Sequence, residues 1–159
     1  MTLLPALRFA SLVTSALSSG VLFGTLASLG PSTRVFSPGT CVEVQQATVR
    51  NLRPVMGVLL PAAVVSNLAL IVGSARDRGR PGFVLVVTGC LGQLASLVVT
   101  AAVELPINAD VLTWVPDDLP ANWESVRDRW DRTHTLRTAT SVLGFGCLAA
   151  ASVVAPGLP

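Results

Sequence analysis

The chain has 159 residues, 51% of them hydrophobic and only 13% charged, with a mean hydropathy of +0.65. Soluble domains carry roughly a quarter charged residues, and the shortage here is concentrated in four apolar runs, so the composition excludes an ordinary water-soluble core. A formal net charge of +2 with no basic block argues against nucleic acid as a partner. Arginine supplies every basic residue and lysine is absent. With abundant Ala, Val, Leu, Gly and Pro, this looks like a GC-rich bacterial coding bias and points to a bacterial inner membrane.

A helix needs about 20 apolar residues to cross the bilayer core. Residues 9–29, 55–72, 83–103 and 136–155 meet that length. The expectation is a single integral membrane domain over 1–159: an all-α, four-transmembrane-helix bundle with a long polar loop and a last helix extended beyond the bilayer. The first run follows Arg8 and is read as a retained span rather than a cleaved signal, because it is long and three more spans follow. It carries Ser11, Ser15, Ser18, Ser19 and Ser28, and a GxxxG pair at Gly20 and Gly24. Small residues let helix backbones approach closely in lipid. They are expected to pack inside the bundle, with a homo-oligomer face as the alternative.

In the second run, Pro61 is placed to kink the helix. Asn67 needs a partner within the bundle, for which Gln93 of the third run is a candidate. The short link from Arg76 to Gly82 makes the second and third spans antiparallel neighbours. Between the first and second spans, 30–53 reads as a polar loop; alternation at Val42, Val44 and Thr48 suggests a short extended piece. Arg76, Arg78 and Arg80 argue for cytoplasmic termini, although more arginines fall on the other side. Cys41, Cys90 and Cys147 have no metal-ligand spacing and are read as free thiols, with a Cys90–Cys147 contact as the alternative.

The stretch 104–135 is the informative one. It opens with Glu104-Leu105-Pro106-Ile107-Asn108 as the third span ends, and Pro106 should bend or break the helix there. Asp110, Trp114, Asp117 and Asp118 follow, Pro116 and Pro120 bracket a turn, and Asn122 is placed to cap the next helix. That helix should start near Ala121 and run unbroken into the fourth span. Trp123, Arg127, Trp130, His134 and Arg137 recur at steps of four and three, which puts them on one face. On the spacing alone Arg127 can pair with Asp131.

Such a stripe suits an interfacial helix, with Trp at the headgroup level and Arg reaching towards water. It also suits a site, because Glu104 and Asn108 end the preceding span at similar depth, and ionisable groups at membrane depth suggest function by default. Glu104, Asp110 and His134 are the only near candidates for a zinc site, which usually needs three protein ligands. No haem-attachment motif, phosphate-cradling loop or nucleophile elbow is present, so neither metal nor haem is expected.

The pattern Leu105-Pro106-Ile107-Asn108, a Pro-rich turn, then Trp123, Arg127, Trp130, His134 and Arg137 leading into a last span resembles the anthrone oxygenase-like family. These are small four-span membrane proteins, many of them bacterial and without assigned function. The resemblance covers the whole chain in layout and is specific from Pro106 to Arg137; the N-terminal half matches only in hydropathy. It implies oxidation of a polyketide anthrone by dioxygen as co-substrate, without metal or flavin. It carries over to Asn108, Trp130, His134 and Arg137, and less closely to Arg127.

The chemistry suits these residue types. Removing a proton from an acidic methylene gives an electron-rich anion that dioxygen can attack. His134 is the natural base near neutral pH, while Arg137 and Asn108 can stabilise an oxyanion. Trp130, Trp123, Arg127 and Glu104 would contact a flat hydrophobic aromatic arriving from the lipid bilayer. Two other readings stand beside this one: a non-enzymatic membrane partner protein whose stripe docks another chain, and a small-molecule or lipid-binding carrier. Burial of His134 inside the bundle favours the first reading. Outward-pointing residues favour the second, and a continuous polar path through the spans favours the third.

Overall fold

The computed structural model describes residues 3–32 and 35–154. Its regular elements are all helical: α1 (Leu3–Ser32), α2 (Pro38–Gly73), α3 (Pro81–Val99), α4 (Leu105–Val111) and α5 (Trp123–Val154). A 3-10 turn at Ala75–Asp77 links α2 to α3, and a π-turn at Thr100–Glu104 joins α3 to α4 without a break. Four units are long and apolar enough to cross a membrane: α1, α2, the α3–α4 composite and α5. Their outward faces are greasy, with Phe9 69%, Val58 68% and Leu143 70% exposed. Ser11, Ser15, Ser18, Asn67, Gln93, Ser96 and Ser141 are fully buried instead. Polar inside and apolar outside suits lipid rather than water; the chain is an integral membrane protein built as a four-helix bundle.

The buried polar side chains form a seam between helices. Ser11 Oγ donates to Asn67 Oδ1, and Asn67 Nδ2 donates to Ser15 Oγ at 3.2 Å. Gln93 Nε2 donates to Ser19 Oγ at 3.3 Å and to the Ser141 carbonyl at 2.9 Å. Ser19 and Ser141 share a bond of 2.8 Å. Asn67 therefore finds its partners on α1, not on Gln93; both amides turn to the serine-rich face of α1.

Close backbone approach also falls elsewhere than the GxxxG pair suggests. Gly20 and Gly24 have nothing within 4 Å of where a Cβ would sit. The tight contact is between α3 and α5: a Cβ on Gly92 would lie 2.7 Å from the Thr140 carbonyl, and one on Gly144 would lie 2.8 Å from that of Gly89. This contact sets an antiparallel register in which Gln93 meets Ser141, Thr100 meets Arg137 and Asn108 meets Trp130.

The stretch 41–49 is helical, not extended, and α2 reaches back to Pro38 through most of the expected first loop. The local reasons are a start signal and a buried face. Ser37 Oγ accepts from the Thr40 amide at 3.3 Å with Pro38 in the first turn. Val42, Gln46 and Val49 are buried at steps of four and three. Val42 joins Ile107, Val111 and Trp130 in a small core at this end of the bundle. Gln46 Nε2 donates to the carbonyls of Val111 at 2.9 Å and Trp114 at 3.0 Å, satisfying the end of α4.

Pro106 does not break the third span. Leu105 donates its amide to the Thr100 carbonyl, five residues back, so the turn before the proline is widened rather than ended. Helix then continues to Val111, and the irregular stretch before α5 is 112–122. α5 has 32 residues, about 48 Å at 1.5 Å per residue, well beyond a core of roughly 30 Å. Its start is held by the Asn122 carbonyl, which accepts from the Val126 amide at 3.2 Å.

Candidate active site

The polar cluster is assembled where the π-turn and α4 cross the first half of α5. Side chains at four-residue steps drift by about 40° per step round an α-helix. Thr100, Glu104 and Asn108 are four apart, and the wider π-turn absorbs that drift and keeps them towards α5. Thr133 Oγ1 donates to Glu104 Oε1 at 2.6 Å, and Arg137 Nη2 lies 3.2 Å from Glu104 Oε2. Arg137 Nη1 donates to Thr100 Oγ1 at 3.1 Å. Glu104 is fully buried and Arg137 is 8% exposed. Burying two charges is tolerable only because each is paired and hydrogen-bonded.

His134 is 2% exposed and faces the bundle interior. Arg137 Nε and Nη2 lie 3.1 and 2.9 Å from its Nδ1. A guanidinium has only donors, so Nδ1 is the acceptor and the proton of the neutral ring sits on Nε2. Nε2 is buried with no well-formed hydrogen bond, against the α1 backbone at Leu22. Trp130 stacks on the imidazole, with centroids 4.7 Å apart and planes inclined by 6°. Its Nε1 donates to Asn108 Oδ1 at 3.0 Å. An indole can only donate, so this bond also orients the amide and leaves Asn108 Nδ2 for other acceptors.

These groups form part of the wall of a cavity of about 340 Å³, within the size range of small-molecule sites. Asn108, Trp130, His134 and Arg137 line it together. The opposite wall comes from α1 and α2 and is mostly apolar, with Leu22, Leu52, Met56 and Leu60. Gly57, Pro61, Ala101 and Leu105 also line it and are exposed on the outward faces of α2 and the α3–α4 span, with the exposed Arg53 at one edge, so its mouth opens between two apolar helix faces.

Not every residue of the expected stripe reaches the cavity. Glu104 sits behind Arg137 and outside the lining. Trp123 and Arg127 lie nearer the start of α5 and do not line it either. Arg127 stacks over the Trp123 ring at 4.9 Å and pairs with Asp128 at 3.1 Å, rather than with Asp131. Glu104, Asp110 and His134 do not converge; no group of three His, Cys, Asp or Glu among the described residues is placed to hold a metal ion. Cys41, Cys90 and Cys147 form no disulfide, and Cys41 lies on α2 rather than in a loop.

Sequence reasoning missed Thr100 and Thr133, which clamp Arg137 and Glu104, and it missed the whole α2 wall. The signal was there: Thr48, Leu52, Met56 and Leu60 recur at steps of four and would share a face once 38–53 is read as helix.

A family model described as anthrone oxygenase matches residues 47–147. Neither a curated protein nor a solved structure shows significant similarity to the chain.

Proposed function

The chain belongs to the anthrone oxygenase family, and from that premise we propose that it is a membrane oxygenase acting on a flat, hydrophobic hydroxyaromatic with an acidic methylene. The observation that carries this reading is one cavity lined by His134, Arg137, Asn108 and Trp130, with apolar walls and a mouth between two apolar helix faces. A substrate dissolved in the bilayer would reach it without crossing water.

In the resting arrangement the His134 lone pair is held by Arg137. A substrate carbonyl oxygen that takes over those guanidinium donors would release Nδ1, which then accepts the methylene proton. Arg137 and the Asn108 amide hold the developing oxyanion. Dioxygen adds to the carbanion carbon, and His134 returns its proton to the resulting peroxide anion. Loss of the second methylene hydrogen with hydroxide then leaves a ketone and one water, so a methylene and one dioxygen are fully accounted for. Glu104 acts through Arg137, fixing its charge and position. The partner-protein reading is not favoured, because His134 and Arg137 point inward. The carrier reading has the buried seam in its favour, but its groups are close-packed and carry no charge.

The test is dioxygen uptake by the purified protein with an anthrone. His134→Ala should lose about two to four orders of magnitude in rate, the usual contribution of a general base. Arg137→Lys should also be slow, because a point charge does not replace a planar fork. Chelators should leave the rate unchanged. Full activity in correctly folded His134→Ala protein would overturn the mechanism, and no uptake across a panel of such aromatics would overturn the proposed activity.

A further inference from the structure

A second cavity, of about 260 Å³, opens at the other end of the bundle, where the start of α1, the end of α2, the start of α3 and the end of α5 come together. Its depth is mostly apolar, walled by Leu12, Leu70, Val86 and Leu148, and the two buried serines that also line it, Ser11 and Ser74, donate their hydroxyl protons to Asn67 Oδ1 and the Leu70 carbonyl. Three of these, Leu70, Val86 and Leu148, otherwise pack as a core cluster. Its rim is polar and positive, formed by Arg8, Arg80 and Asp77. Asp77 pairs with Arg80 at 3.0 Å, which leaves Arg8 as the half-buried rim cation with no carboxylate in reach among the described residues. Arg76 and Arg78 lie on the adjoining turn, and Asp77 is the only described carboxylate at this end.

A charged rim over a greasy shaft selects for an amphiphile. Water alone would fill the shaft poorly, because a buried water needs two to four polar partners and the hydroxyls of Ser11 and Ser74 already donate elsewhere. A neutral hydrocarbon would leave Arg8 unpaired at the membrane boundary, where a guanidinium favours a phosphate or carboxylate. We propose that this cavity binds an anionic acyl amphiphile, its phosphate or carboxylate head on Arg8 and Arg80 and its chain between the four helices. The head can belong to an anionic phospholipid or to a free fatty acid. The site is separate from the oxygenase cavity, shares no lining residue with it, and does not rest on the proposed activity.

The experiment uses the full chain in nanodiscs of zwitterionic phosphatidylcholine, titrated with the fluorescent fatty acid cis-parinarate. Wild type should bind it saturably at one site. Phosphatidylglycerol or decanoate should displace it, and decanol, which keeps the tail and lacks the charge, should not. Arg8→Gln should weaken binding at least tenfold, and Arg50→Gln, at the opposite end of the molecule, should not. If Arg8→Gln does not fold, Arg80→Gln on the exposed rim replaces it with the same expectation. Native mass spectrometry separates the two sources: a phosphatidylglycerol that stays with wild type and is lost from the Arg8 variant identifies a phospholipid, whereas retention of the fatty acid alone identifies the free carboxylate. Displacement by decanol as effective as by decanoate, or binding unchanged by loss of the rim arginine, would overturn the proposal.

Discussion

The indole of Trp130 holds two neighbours in different ways, which makes it separable by substitution. Its face stacks on His134 and its Nε1 donates to Asn108. Trp130→Phe keeps a ring face and removes the donor, freeing the amide to turn. A net hydrogen bond of about 0.5–1.5 kcal/mol corresponds to a roughly two- to tenfold fall in kcat/KM. Trp130→Ala loses the face as well and should fall further; steady-state kinetics of the two variants check this, and equal rates would mean the hydrogen bond is the only contribution. At this scale the placement of four residues, though not their roles, was legible in advance. His134, Arg137, Trp130 and Asn108 all line one cavity, because helical spacing is a local property that survives folding. Trp123 and Arg127 share the same stripe yet fall outside the cavity, since spacing fixes a face but not where along the helix a neighbour ends. That His134 Nδ1 is engaged by Arg137 depends on χ angles that no spacing reveals.

Helix pairing turns on glycines whose neighbours differ sharply. Gly92→Val would put a Cβ 2.7 Å from the Thr140 carbonyl and 2.8 Å from the Gly144 backbone. No side-chain rotation relieves a clash with backbone, so α3 and α5 must separate, at a cost of about 1–3 kcal/mol or more. Gly20→Ala meets nothing within 4 Å and should be neutral or gain up to about 1 kcal/mol from helix propensity. Thermal unfolding of the two variants in detergent checks the contrast, and a Gly20 variant as unstable as the Gly92 variant would refute the packing described. A sequence shows which residues are small but not which faces meet, and that is why the GxxxG pair drew attention while Gly89, Gly92 and Gly144 did not. The early start of α2 was missed for a different reason. Hydropathy marks the part of a helix that lies in lipid, whereas Ser37 and Pro38 mark where the helix begins.

Across the whole molecule, amide and hydroxyl groups tie helices that also meet through two apolar clusters. Gln93 connects α3 to Ser19 on α1 and to Ser141 on α5. Gln93→Leu should therefore leave several partners unsatisfied and cost about 1–2 kcal/mol, in the range measured for polar contacts between membrane helices. Unfolding in mixed micelles would measure it; no loss would show that the serines re-pair among themselves. The four-span architecture was open to reading because lipid imposes length and hydropathy on each span separately. The seam was not, since it needs all four faces placed at once. The seam also bears on how the protein is made. Chains generally fold in order of synthesis, and α5 is the last of the four spans to leave the ribosome. Until it arrives, Gln93 lacks Ser141, Glu104 lacks Arg137, and the nascent bundle holds polar groups in lipid without their α5 partners. A nascent chain stalled or cut before α5 would thus display these groups to membrane quality control, and the insertion of α5 would be the event that hides them.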